Sequence, residues 1–155
     1  TTIEIMDEAN AVLDKMQLQL PTVQPVVRHG ESPKTIQLTT TNTEELTARL
    51  KMIYENSRAQ GYQSVALITK NQTEAEQVAN AINEIPVQLL TEQSILEKES
   101  LLIVPAYLAK GLEFDAVIIY SAEGFANTLF EQKLLYVAMT RAMHALYFIQ
   151  PPAKN

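Results

Sequence analysis

Two stretches of this chain, Leu101-Leu-Ile-Val104 and Ala116-Val-Ile-Ile-Tyr120, are apolar without interruption. A strand with one wet face alternates apolar and polar residues. A run without that alternation is a strand covered on both faces, as in a parallel sheet sandwiched between helices. Other segments fit the same constraint. Ser64–Thr69 and Val87–Leu90 are short apolar strands, and Ala145–Ile149 is a last one, stopped by Pro151-Pro152. Thr35–Thr40 alternates Ile36 and Leu38 with threonines, also a strand pattern.

Helical spacing fills the intervals. From Ile3 to Leu20, the residues Met6, Ala9, Leu13, Met16 and Leu20 share one face, and Pro21 ends the run. Pro21 to Pro33 reads as a loop, with three prolines and Gly30. Asn42 caps a helix reaching about Gln60 that buries Leu46, Leu50 and Ile53; Glu45 takes the capping-box position and Gly61 closes it. Asn71 and Glu74 repeat the box before a helix with Ala75, Val78, Ala79 and Ile82 inward. Thr128 to about Arg141 is a further helix, with Leu134, Leu135 and Ala138 as core candidates and Tyr136 more suited to packing than to chemistry. Strands alternating with helices predict one α/β domain over residues 1–155, a mostly parallel sheet with helices on both faces.

Composition narrows the function. A chain of 155 residues, 46% hydrophobic and 19% charged, can bury one ordinary core. Eighteen acidic against 12 basic residues give a net charge of −6, which argues against strong independent binding to nucleic acid. The absence of cysteine excludes disulfides and thiolate metal sites. His29 and His144 are far apart and beside no carboxylate cluster, so no metal site is expected. No run is long enough to cross a bilayer and the first residues lack a signal peptide, so the expected location is the cytoplasm. The chain opens Thr1-Thr2 without an initiator Met, and is expected to be part of a longer protein.

Two segments could carry chemistry. In Ala109-Lys-Gly-Leu-Glu-Phe-Asp115, Gly111 permits a tight turn or a close approach, Lys110 offers a cation to phosphate, Glu113 can accept from a sugar hydroxyl, and Phe114 anchors the loop. The plainer alternative is a surface turn with a solvated Lys–Glu pair. In Leu134-Leu-Tyr-Val-Ala-Met-Thr-Arg-Ala142, Arg141 ends an otherwise apolar helix. A planar, permanently charged fork there suits a nucleotide held by another domain, the arginine-finger arrangement. It equally suits a helix C-terminus and a local carboxylate.

Together, in this order, Lys110–Asp115 resembles motif V, and Tyr136–Ala142 motif VI, of UvrD/Rep/PcrA-type superfamily 1 helicases. The resemblance is close over roughly the second half and extends to the first only in the order of strands and helices. Thr1–Asn10 is similar to the helix that follows motif IV, which implies that the motif IV arginine precedes Thr1. The resemblance implies a RecA-like three-layer domain in which Arg141 reaches the γ-phosphate of ATP and Glu113 the ribose. Lys110 and Gly111 would shape the same cleft, and Thr140 would position the arginine. Tyr107 and Lys110 would face a single strand of DNA or RNA. One departure is clear: the family's Thr-x-His at the start of motif V is replaced by Pro105 and Tyr107. That form is more similar to the HelD/helicase IV-like branch, some members of which act on RNA polymerase.

No Gly-x-x-x-x-Gly-Lys-Ser/Thr occurs, and no acidic Mg²⁺ motif follows one. ATP with Mg²⁺ is therefore expected to be held mainly by a P-loop motor domain N-terminal to this one, and the fragment alone is expected not to hydrolyse it. The function expected is the second motor domain of an ATP-dependent helicase or translocase. Alternatives are an ATP-driven RNA polymerase-remodelling factor and a non-catalytic scaffold. A free-standing flavodoxin-like domain fits the strand pattern but lacks a phosphate loop after an early strand.

Overall fold

The computed structural model describes residues 1–16, 31–93 and 99–153. Its elements in chain order are α1 (Ile3–Met16), β1 (Lys34–Gln37), α2 (Thr43–Ala59), β2 (Val65–Thr69), α3 (Gln72–Ala81), β3 (Val87–Leu89), β4 (Leu101–Pro105), α4 (Ala106–Ala109), β5 (Phe114–Tyr120), α5 (Leu129–Met139) and β6 (Ala142–Gln150). Six strands form one sheet in the order β1-β6-β5-β2-β4-β3, and every neighbouring pair is parallel. The unbroken apolar runs lie at its centre, where β2 and β4 are buried at every position.

Successive residues of each strand feed opposite faces. Val65, Leu67, Leu101, Ile103 and Ile118 pack with Leu46, Leu50 and Ile53 of α2, Ala75 and Val78 of α3, and Ile82 just past it. Ala66, Ile68, Leu102, Val104, Val117 and Leu146 pack with Ile5, Ala9 and Leu13 of α1, Ala106 and Ala109 of α4, and Tyr136, Ala138 and Met139 of α5. The result is the three-layer α/β arrangement expected, with α2 and α3 on one side and α1, α4 and α5 on the other.

Several boundaries differ from expectation. The Leu20 end of the first helical pattern and most of the Pro21–Pro33 stretch lie outside the described residues. Residues 105–115 are not all loop, because Ala106–Ala109 form one helical turn and Phe114 and Asp115 already belong to β5. The last strand begins at Ala142 instead of Ala145, directly after Arg141. Leu134 and Leu135 are only partly buried, while Ala138 is fully so.

The caps form differently from the reciprocal box. Asn42 Oδ1 accepts from Glu44 N at 3.0 Å, but the Glu45 carboxylate passes Asn42 and accepts from Thr39 N (2.7 Å) and Thr40 N (3.0 Å). These bonds, with one from the Thr39 hydroxyl, hold the Glu45 carboxyl below its ordinary pKa. Likewise Asn71 Oδ1 accepts from Glu74 N, while Glu74 accepts from Lys70 N and the Ser121 hydroxyl. At the other end of α2, Gly61 N donates to Arg58 O and Tyr62 N to Ser57 O, each at 3.0 Å. That pair is a Schellman closure, and it needs the left-handed φ of +90° at Gly61.

Gly61→Ala should therefore lower the unfolding free energy by about 1–2 kcal/mol, the cost of a Cβ in the left-handed region. Urea melts of the two proteins check this; equal midpoints would contradict it.

Candidate functional site

Because all strands run the same way, their amino ends line one edge of the sheet and their carboxyl ends the other. The two motif segments connect these edges. Residues 106–113 start where β4 ends and finish where β5 begins, and α5 runs back from the carboxyl edge to deliver Thr140 and Arg141 at the start of β6.

At the amino edge, Phe114 N donates to Arg141 O at 2.9 Å and Phe114 pairs with Ala142, so Arg141 comes level with Glu113. Arg141 is half-buried. Its Nε donates to Val137 O (3.1 Å), its Nη2 to Thr140 Oγ1 (3.1 Å) and its Nη1 to Leu112 O (3.4 Å). Thr140, itself buried, donates its hydroxyl to Val137 O at 2.9 Å. The arginine thus closes the end of its own helix, as one sequence alternative proposed. The other part of that alternative fails: among the described residues no carboxylate forms an ion pair with it. An arginine has five N–H donors, and the three used here leave others for an anion.

Glu113 and Lys110 are exposed, and they form no ion pair with each other. The solvated Lys–Glu pair weighed from the sequence is therefore not formed. Gly111 has φ +83° with open space where a Cβ would sit, so backbone conformation, not crowding, calls for glycine. Leu112 N closes the turn on Ala109 O at 3.0 Å, and Phe114 is 1% exposed, anchoring it. Lys110, Gly111, Glu113, Thr140 and Arg141 are thus brought to one edge.

Tyr107 is not with them. It lies at the carboxyl edge, 55% exposed, with its hydroxyl donating to Gln72 Oε1 at 3.3 Å. That edge holds a network the sequence did not reveal. Lys70 Nζ lies 2.6 Å from Glu131 Oε1 and 5.6 Å from the Phe125 ring centroid. Glu131 also accepts from Ala126 N at 3.1 Å. The Lys70 hydrogen bond, then that of Ala126, holds the Glu131 carboxyl below its usual pKa. Phe130, beside it, is 71% exposed. The partners Lys70 and Glu131 are too far apart in the chain for any local pattern to signal them.

A second missed cluster borders Arg141. Asp115 Oδ2 accepts from Gln63 N (2.8 Å) and Ser64 N (3.3 Å), and Asp115 N donates to Ser64 Oγ (2.8 Å). His144 Nε2 lies 3.7 Å from Asp115 Oδ1, and its ring stacks on Tyr62 with centroids 5.5 Å apart. Burial, then the carboxylates of Glu31 and Asp115, raises the Tyr62 hydroxyl above its ordinary pKa. His144 therefore does have a carboxylate neighbour, contrary to its sequence surroundings. Even so, the described residues contain no group of three His, Cys, Asp or Glu fit to hold a metal.

A concavity of about 690 Å³ lies between α1, α5 and the carboxyl ends of β5 and β6. It is remote from Arg141. At the Arg141 edge, Glu113 is exposed and Arg141 half-buried.

The architecture defines a class first: a RecA-like α/β domain without a phosphate loop of its own. Comparison with known proteins then narrows it. Residues 101–149, which contain both motif segments, match the family described as UvrD-like helicase C-terminal domain. Among solved structures, the C-terminal domain of a possible DNA helicase from Lactobacillus plantarum WCFS1 is similar over 99% of this chain and 87% of its own, with 26% identity and a TM-score of 0.80. S. tokodaii Xpd4 shows a fainter likeness, with 15% identity and a TM-score of 0.49 over 86% of this chain and 37% of that one. No curated protein matches the chain. No helix among the described residues is long and apolar enough to cross a membrane.

The lowered Glu131 carboxyl gives a test of the carboxyl-edge tie. A carboxylate held below its unfolded pKa contributes stability above that unfolded value, and loses it as pH falls through the folded one. Glu131→Gln should be less stable than the parent at neutral pH. The gap should close in acid as Glu131 itself becomes neutral, and denaturant melts at both pH values would show it. A gap that persists in acid would contradict the account.

Proposed function

We propose that this domain is the second motor domain of an ATP-dependent helicase or translocase, supplying Arg141 as an arginine finger to ATP held by a P-loop partner domain of the same protein. The observation that carries the reading is that Arg141 comes level with the exposed Glu113 at the amino edge, within the stretch similar to the UvrD-like helicase C-terminal domain family. ATP with Mg²⁺, held mainly by the partner domain, would supply the phosphoryl group that is transferred to water. The residues of this chain fit a nucleotide: an exposed carboxylate for ribose hydroxyls, an exposed lysine, and a guanidinium with N–H donors to spare.

In this mechanism Thr140 and the carbonyls of Val137 and Leu112 hold the guanidinium in one orientation before the nucleotide arrives. Such preorganisation is what lets a cation stabilise developing charge without reorganising at the moment of reaction. Glu113 orients the sugar. Closure and release of the cleft would move the strand or partner held at the other edge. There Tyr107, flat and exposed, offers a stacking face for single-stranded DNA or RNA. Lys110 stands at the Arg141 edge instead, where its cation would serve the phosphates of the nucleotide and not the strand.

Two observations favour a second reading of the parent's target. Tyr107 stands where UvrD-type motors have histidine, and the chain carries a net charge of −6. Remodelling of an RNA polymerase complex, as in the HelD-like branch, is the form of activity these favour. Retention of RNA polymerase without duplex unwinding by the full-length protein would support it; unwinding without retention would exclude it.

In the full-length protein, Arg141→Ala should lower ATP turnover by roughly 10³–10⁵-fold while nucleotide affinity is largely kept, the range known for such fingers. Steady-state hydrolysis together with equilibrium binding of a fluorescent nucleotide tests this. Unchanged turnover would refute the assignment.

A further inference from the structure

The ladder between β5 and β6 contains an irregularity beside the candidate site. Phe114 pairs with Ala142, but Ala116 pairs with Ala145, so Asp115 alone faces both Met143 and His144. This is a β-bulge, with the extra residue in β6. Its consequence follows from the register. Continued backwards without a bulge, the Ala116–Ala145 pairing would set Met143 against Phe114 and Ala142 against Glu113. Arg141 would then lie level with Leu112. The extra residue shifts β6 by one place, and only then does Arg141 come level with Glu113. A one-residue slip also reverses the face to which every side chain points, so the bulge decides orientation as well as position.

We propose that Asp115 and His144 form a positioning pair that fixes this bulge, and through it the placement of Arg141 beside Glu113. The proposal rests on the arginine-finger reading given above. Asp115 is tied to the neighbouring strand's entry by hydrogen bonds with Gln63 and Ser64, all within 2.8–3.3 Å. That entry is held in turn by Arg58 Nη1, which donates to Gln63 O at 3.2 Å. From this fixed point the free carboxylate oxygen faces His144, one of the two bulged residues, at 3.7 Å. The Tyr62 ring covers His144 in a stack tilted by only 7°, which restrains the imidazole from its other face. Phe114 N–H, donating to Arg141 O at 2.9 Å, records the shifted register directly. Neither Asp115 nor His144 needs to touch nucleotide; both act through Arg141.

The experiment is ATP hydrolysis by the full-length protein carrying His144→Gln or Asp115→Asn, each also combined with Arg141→Lys. A positioning role predicts that each single variant lowers kcat on the order of 10–100-fold, as displacement of a catalytic group by about 1 Å does. KM for ATP and the melting temperature should change little. In the Arg141→Lys background the same substitutions should move kcat by less than about twofold, because coupled residues are not additive. An unchanged kcat in the single variants, an equal loss in both backgrounds, or a loss that follows a fall in melting temperature would overturn the proposal. If Asp115→Asn fails to fold, His144→Gln decides alone, since that side chain is 35% exposed and its loss leaves the core intact. An Arg141→Lys variant with normal turnover would instead sink the arginine-finger reading, and the positioning role with it.

Discussion

Only Thr140 and Arg141 join α5 to β6, and this short junction constrains everything at the amino edge. A helix that ends without glycine leaves its last carbonyls to be met by other donors. Here the Thr140 hydroxyl and Arg141 Nε both donate to Val137 O, so the residues that make the connection also close the helix. The same bonds immobilise a long, flexible cation. Ordering an arginine on binding normally costs conformational entropy; a guanidinium already held by Val137, Thr140 and Leu112 has lost much of that freedom on folding. Capping and presentation to an anion are therefore compatible uses of one side chain, not competing ones.

Two of the three helices on this face, α4 and α5, lie in segments that connect the sheet's edges. Residues 106–113 carry Tyr107 at one end and Glu113 at the other. The helix α5 has Glu131, tied to Lys70, near its start and Arg141 just past its end. With 11 residues, α5 spans about 16 Å as a rigid rod.

Much of this was legible in the sequence, for definite reasons. The unbroken runs at Leu101–Val104 and Ala116–Tyr120 fixed a sheet covered on both faces, and the periodic Leu46, Leu50 and Ile53 fixed the inner side of α2. Gly61, which closes a helix, and Gly111, which permits a tight turn, both have positive φ. What escaped were interactions whose partners lie far apart in the chain. Asp115 bonds residues 63 and 64, and Lys70 bonds Glu131; nothing local marks either pair. The start of β6 was missed because His144 interrupts the apolar run, and that interruption is the bulge. Glu45 and Glu74 stood at the expected capping positions, but each had a second donor within reach further back, which geometry alone could reveal.

The central claim is that the Arg141 guanidinium leaves this edge pointing at a nucleotide offered from outside. A crystal structure of the full-length protein with Mg·ADP and an aluminium fluoride mimic of the transferred phosphoryl group tests it most directly. The account predicts an Arg141 Nη atom at hydrogen-bonding distance, about 2.7–2.9 Å, from the fluoride mimic, with Glu113 at the ribose of the same nucleotide. A complex in which the closed cleft leaves both side chains facing solvent, or sets them on different molecules of ligand, would contradict it.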